Sequence, residues 1–180
     1  MNFLLMRKAC RQFGSSLKSS LKKETYRAHQ KRVQRIETLN PAGNYKEWLK
    51  IIHNKVQPAS YFEIGVSKGA TLSLAGEGCL ATGVDPGFRI EYQLKAQTRI
   101  YRLPSDDFFA NHDVCSLFGN QLIDFAFIDG LHEYRQVVRD FRNTIKYCGK
   151  ESLIAIHDVV PPDEASASNS RSTILWAGDV

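Results

Sequence analysis

The chain has 180 residues, 43% hydrophobic and 24% charged, enough for one domain of roughly 150 residues with an extension and for a real apolar core. That composition excludes a collagen-like chain, wholesale disorder and a disulfide-stapled miniprotein, and no apolar run reaches the roughly 18 residues of a membrane span. The net charge of +5 is lopsided: residues 1–40 carry ten Lys/Arg and two acids, residues 41–180 fourteen and seventeen. The chain thus divides into a basic arm, 1–40, and a mildly acidic domain, 41–180.

The arm has thin apolar stripes, Leu17/Leu21 and Val33/Ile36/Leu39, at helical spacing. They predict solvated helix or tail, with weak attraction to an anionic surface as the sharper reading. Few aromatics interleave with its charges (Phe3, Phe13, Tyr26), so nucleic acid is not the expected partner. The first 23 residues contain no acid, as in organellar leaders, while Met1–Met6 lacks the basic start of a signal peptide. Cys10, Cys79, Cys115 and Cys148 form no close pair, as expected of thiols in a reducing cytoplasm.

Asn40-Pro41-Ala42-Gly43 predicts a turn and the boundary of the arm. Asn44 then reads as a helix N-cap with Glu47 as its capping-box partner; Tyr45, Trp48, Leu49, Ile52 and Val56 keep helical spacing, and Pro58 closes the segment. Short apolar runs follow at Tyr61–Val66, Leu80–Val84, Arg99–Leu103, Ile123–Ile128 and Leu153–Ile156, with a helical stripe over His132–Tyr147. This alternation predicts an open parallel sheet with crossover helices on both faces. Ligands bind such sheets at the carboxyl ends of the strands. Polar groups stand there five times: Glu63 to Gly69, Asp85, Ser105 to Asp107, Asp129 to His132, and His157-Asp158.

The first of these turns carries Ser67 where a dinucleotide fingerprint has its middle glycine, which argues against close approach of a pyrophosphate and so against NAD. A helix N-terminus after the turn is expected to offer free N–H groups to a carboxylate, and Asp85 can accept both hydroxyls of a ribose. A histidine such as His132 suits general-base work near neutral pH. Asp129 and Asp158 end strands expected to be neighbours, and so can share a divalent ion; His157 beside them suits a transition metal better than magnesium. The plainer alternatives are Asp129 as a helix cap, His132 as the start of a helix, and His157 as a structural residue. Tyr134 is expected to pack on the sheet, and Asp107, Glu133 and Glu164 to face solvent.

Glu63-x-Gly65-x-x-x-Gly69-x-Thr71, Gly83-Val84-Asp85, Asp129-Gly130-Leu131-His132-Glu133-Tyr134 and Ile156-His157-Asp158 with Pro161-Pro162 together resemble class I S-adenosylmethionine-dependent methyltransferases. The resemblance covers roughly residues 45–180 and is greatest to the small branch with macrocin-type O-methyltransferases. It implies a Rossmann-like fold and S-adenosylmethionine as cofactor. Gly65 and the Ser67–Gly69 backbone would hold the methionine end, Glu63 the turn and the amino group, Asp85 the ribose, and Ser105 or Asp106 the adenine edge. Asp129 would border the cofactor, and Asp129, Asp158 and His157 would be ligands of Mg²⁺ or another divalent metal. The implied reaction is O-methylation of a small-molecule or sugar hydroxyl with His132 as base.

The family pattern has seven strands, of which five are present, so the domain reads as cut short at its C-terminus. A second copy of the chain covering the exposed edge and the apolar Ile174–Trp176 end is the expected partner. A non-catalytic cofactor-binding remnant and an RNA methyltransferase using the arm are the alternative readings.

Overall fold

The computed structural model describes residues 26–39, 44–171, 173 and 176–178. The Leu17/Leu21 stripe, the turn at 40–43 and the apolar pair Ile174-Leu175 lie outside them. In chain order come α1 (Tyr26–Leu39), α2 (Tyr45–Val56), β1 (Ser60–Ile64), a 3₁₀ turn (Leu72–Leu74), β2 (Leu80–Val84), β3 (Gln97–Tyr101), α3 (Ser105–Asn111), α4 (Val114–Leu117), β4 (Ile123–Ile128), α5 (Tyr134–Thr144), a second 3₁₀ turn (Ile145–Tyr147) and β5 (Cys148–Ile156). The five strands form one sheet in the order β3-β2-β1-β4-β5, every neighbouring pair parallel. This is the Rossmann-like arrangement, with the order in which strands are added reversing between β1 and β4.

Side chains alternate across each strand, and β1 shows what that does. Phe62 and Ile64 point to one face, into a cluster with Val84, Phe108, Val114, Ile123 and Ile128 that Phe141 of α5 helps to cover. Tyr61 belongs to the other face, with Leu49 of α2, Leu72, Phe125 and Phe127. Glu63, two residues on from Tyr61, shares that second face and is wholly buried. His53 of α2 lies in the same layer, its ring edge-on to Tyr61 (4.6 Å) and Phe125 (5.1 Å). Neither of its nitrogens has a hydrogen-bond partner among the described residues.

Helix α2 starts at the expected N-cap, Asn44, through the Asn44 side chain rather than a reciprocal bond to the Glu47 carboxylate. Asn44 Oδ1 accepts from the N–H groups of Lys46 (2.9 Å) and Glu47 (3.3 Å), satisfying two donors that the first turn leaves open, and Gln57 in a left-handed conformation (φ 47°) ends it before Pro58. Asn44→Ala should therefore lower stability by about 1 kcal/mol, read as a shift in the urea midpoint. An unchanged midpoint would mean that the cap contributes nothing.

Several expected elements move. The first strand stops at Ile64 rather than Val66, because Gly65 turns out of the sheet at φ 90°. The third lies over 97–101 rather than 99–103: at the sheet edge only part of it is covered, so polar Gln97 and Thr98 pair with β2 while Leu103 packs from a loop. β5 begins at Cys148 rather than Leu153, with a register irregularity against β4 between Ile123 and Phe125. The helix over 132–147 is reduced to Tyr134–Thr144 with Glu133 at its N-cap, so His132 does not start it and Asp129 does not cap it. Tyr134 is 54% exposed rather than packed on the sheet. No α-helix follows the first turn; the connection from β1 to β2 holds one three-residue 3₁₀ turn, and the helix N-terminus expected there is absent. That stretch is interrupted by Gly65, Gly69, Gly76 and Gly78, which disfavour helix.

Candidate active site

The strand ends converge because the ladder continues past them. Gly65 N–H donates to the Val84 carbonyl (2.9 Å), Asp129 N–H to Ile64 (2.8 Å), His157 N–H to Ile128 (2.9 Å) and Asp85 N–H to Tyr101 (3.0 Å). Gly65 is required here: a side chain on it would overlap the Asp129 carbonyl oxygen of the neighbouring strand. Gly69, also at positive φ (81°), would bring a side chain against Ile90 instead, so its role is packing of the turn.

A cavity of about 440 Å³ opens over these ends, lined by Ile64, Gly65, Ser67, Val84, Asp85, Pro86, Pro104, Ser105, Asp106, Asp129, Gly130, Leu131, Gln136 and Asp140. Of the residues expected to bind a cofactor, Gly65, Ser67, Asp85, Ser105, Asp106 and Asp129 line it. Asp85 is anchored by backbone: Oδ2 accepts from Ser67 N–H (2.7 Å) and Oδ1 from Gly87 N–H (2.6 Å). Each oxygen keeps a lone pair for a ligand hydroxyl. The first of these bonds holds Ser67 in its left-handed conformation (φ 50°).

Glu63 does not reach the cavity. It sits behind the turn, where Oε1 accepts from Thr71 Oγ1 (2.6 Å) and Oε2 from Tyr61 Oη (2.6 Å). Burial raises its pKa to about 8; those two hydrogen bonds pull the other way, and the charges of Asp129 and Asp85 add to the rise. Its place is to brace the loop through Thr71, so a direct contact with a ligand's amino group does not arise in this geometry.

The second cluster forms where β4 and β5 end side by side. His157 Nδ1 lies 2.9 Å from Asp129 Oδ1 and 3.5 Å from Asp158 Oδ1. His132 Nε2 lies 3.7 Å from both Asp129 Oδ1 and Asp158 Oδ2. Burial alone would lower the His157 pKa, but the Asp129 carboxylate set against its Nδ1 and the charge of Asp158 outweigh it, and the net shift is upward. Asp158 takes a left-handed conformation (φ 54°), which Asp tolerates better than most residues. One ligand atom each from Asp129, His132 and His157 lie within 4.8 Å of one another, a two-imidazole, one-carboxylate set that fits a borderline transition metal better than magnesium. Trp176 stands edge-on to His132 (6.3 Å).

Three site residues escape a reading of the sequence. Tyr45, taken as one of the apolar positions of α2, lays its ring 4.0 Å from that of His157; desolvation first, then the charges of Asp129 and Glu63, push its phenol well above the usual range. Asp140 and Gln136 lie on α5, and Asp140 is 1% exposed. The arm's helix reaches the domain through buried Arg32, whose Nε is 2.7 Å from Asp163 Oδ2. A separate cleft of about 590 Å³ there is lined by Lys31, Arg32 and Arg35 among others. No helix among the described residues is long and apolar enough to cross a membrane.

Among solved structures, the chain is similar to a putative O-methyltransferase from Klebsiella pneumoniae at 14% identity and a TM-score of 0.47, over 89% of this chain and 76% of that one. No curated protein sequence matches it. The family model described as a methyltransferase domain matches residues 62–159, a span that takes in all five strand ends and both side-chain clusters. With more than half its length matched, the chain belongs to this methyltransferase-domain family, of class I and drawing on S-adenosylmethionine.

Proposed function

We propose that the protein transfers a methyl group from S-adenosylmethionine to a hydroxyl oxygen of a small molecule or sugar, with His132 as general base. The observation that carries this reading is the double position of Asp129. It lines the 440 Å³ cavity while its Oδ1 faces both His132 and His157. A cofactor in the cavity and a hydroxyl beside His132 would thus meet at one strand end.

The residues fit the cofactor. Asp85 would accept from ribose hydroxyls, the Gly65–Ser67 backbone would border the methionine end, and the apolar walls Ile64, Val84 and Leu131 would flank the base. Bound there, S-adenosylmethionine supplies an activated methyl group. The rest falls to the chain. His132 Nε2 takes the hydroxyl proton as the oxygen attacks, and the Asp129 and Asp158 carboxylates stabilise the imidazolium that results. A divalent cation would be held by the Asp129, His132 and His157 set rather than by Asp129, Asp158 and His157, and His132 could not then serve as the base. Exposed Leu131, Val159 and Val160 on the two adjoining loops favour an acceptor with an apolar body.

Calorimetric titration with S-adenosylmethionine tests the cofactor half, and transfer of labelled methyl into a panel of phenols and sugars tests the chemistry. His132→Ala should leave cofactor affinity within about twofold and reduce transfer by about 100-fold or more. Unchanged transfer would remove His132 from the mechanism, and no saturable binding by the wild type would remove the reading itself.

A further inference from the structure

Arg32, 8% exposed, fixes which side of α1 faces the domain, its Nε meeting Asp163 Oδ2 at 2.7 Å. The turn that presents Asp163 is held on both sides. Pro161 and Pro162 stiffen its approach, and Ser166 N–H donates to Asp163 Oδ1 (2.9 Å). With Arg32 turned inward, Lys31, Gln34, Arg35 and Thr38 stay exposed along one wall of the 590 Å³ cleft, opposite Pro162 and Asp163.

Lys31 and Arg35 stand four residues apart, a spacing at which like charges on a helix repel. Neither forms an ion pair among the described residues. Of the described residues lining the cleft, three are cations and one, Asp163, is an acid already engaged by Arg32. Two cations and the Gln34 amide therefore face the cleft without a counter-charge. That suits a dianion, which a phosphate monoester nearly is at neutral pH.

The cleft is close to the catalytic end. Only residues 159–162 separate Asp158 from Asp163, so the two lie within about 18 Å of each other. Between them Val159 (43%) and Val160 (65%) expose apolar side chains. The same turn is tied back to His132. Ala177 N–H donates to the Ser166 carbonyl (3.0 Å), Trp176 stands edge-on to the His132 ring, and a side chain on Gly178 would overlap the His132 carbonyl oxygen.

We propose that this cleft is a phosphate subsite for the methyl acceptor, which is a hydroxyl compound with an apolar body and a phosphate monoester remote from the hydroxyl. The phosphate rests between Lys31 and Arg35, the body lies on Val159 and Val160, and the hydroxyl meets His132. The inference rests on the proposed transfer to a hydroxyl and names the acceptor's class.

Calorimetric titration of the full chain with phenyl phosphate tests the subsite directly, with an expected Kd of about 1 mM or tighter. The double variant Lys31→Gln/Arg35→Gln should bind it about tenfold more weakly. Lys50→Gln/Lys55→Gln removes the same charge from the exposed face of α2 and should stay within about twofold of wild type. Labelled-methyl transfer to phenols carrying alkyl phosphate tails of increasing length, against the same phenols without phosphate, tests the acceptor role. At the best length kcat/KM should favour the phosphate form by about tenfold. The cleft variant should lose that advantage through KM with kcat unchanged, because the subsite is remote from the reacting atoms. No saturation by phenyl phosphate, equal weakening in the α2 variant, or transfer indifferent to the phosphate overturns the inference. So does a short single-stranded RNA that binds through Lys31 and Arg35 while the phosphate on a phenol gives no gain. Failure of S-adenosylmethionine to bind, with phenyl phosphate still held by Lys31 and Arg35, overturns the transfer reading instead and leaves the phosphate site standing.

Discussion

Gly65→Ala is expected to destabilise the protein by about 3 kcal/mol or more and to abolish cofactor binding in whatever fraction still folds. Two independent terms act at this position. Its φ of 90° lies where a side chain clashes with its own backbone, at roughly 1–2 kcal/mol for the left-handed region. A Cβ would also overlap the carbonyl oxygen and carbon of Asp129, backbone atoms that no rotamer change can move. To make room, β1 and β4 must separate where Asp129 N–H bonds the Ile64 carbonyl, and Asp129 belongs to both the cavity and the histidine cluster. Gly69→Ala is the control. Its φ is similar (81°), but the atom it would meet is the end of the Ile90 side chain, at 2.9 Å, which can turn aside. Urea denaturation with S-adenosylmethionine titration separates them. Should Gly65→Ala fall no further than Gly69→Ala and bind normally, the close approach of the two strand ends is not what that glycine serves.

The fold could be read from the sequence wherever burial on both faces makes a strand continuously apolar, as in Phe125–Ile128, and failed where it does not. β3, half-covered at the edge, mixes Gln97 and Thr98 into its ladder, so hydrophobicity placed it two residues late. The convergence of Asp129, His132, His157 and Asp158 was readable because parallel strands deliver their following residues to one edge. The direction of each side chain was less so. Glu63 shares its strand face with Tyr61 and not with Ile64, and that two-residue parity, available in the sequence, already argues for the buried layer behind the turn. Asp140 was overlooked because an acid in a helix is ordinarily solvated, yet it stands three residues after Val137 and four before Thr144, both buried, on the stripe facing the sheet. Tyr45 against His157 joins residues more than a hundred positions apart, and nothing local announces it.

Two buried titratable groups on the α2 face should give stability a pH profile with opposing limbs. Burial pushes the Glu63 pKa to about 8 from an ordinary 4.5, so between those values the folded state binds the extra proton and stability falls as pH rises. The full displacement corresponds to about 5 kcal/mol at most. Burial lowers His53 to about 4 from 6.5. There the unfolded state binds the extra proton, and stability falls as pH drops through that window, by up to about 3 kcal/mol. From 4.5 to 6.5 the two slopes cancel. The contribution of this pair should therefore be flat over that range and decline by about 2 kcal/mol from pH 6.5 to 8. Single variants expose the hidden terms. Glu63→Gln keeps a group able to accept from Thr71 and Tyr61 but removes the titration; relative to wild type it should gain stability steadily from pH 4.5 to 8. His53→Leu removes the opposite limb and should leave a profile falling across the whole of that range. Urea midpoints at half-unit steps of pH decide the matter, because differences from wild type cancel every other titrating group. A Glu63→Gln profile parallel to wild type would mean that Glu63 is ionised in the folded protein, its charge carried by the Tyr61 and Thr71 hydroxyls. The brace beneath the cavity would then be a buried anion next to Asp85 and Asp129 rather than a neutral acid.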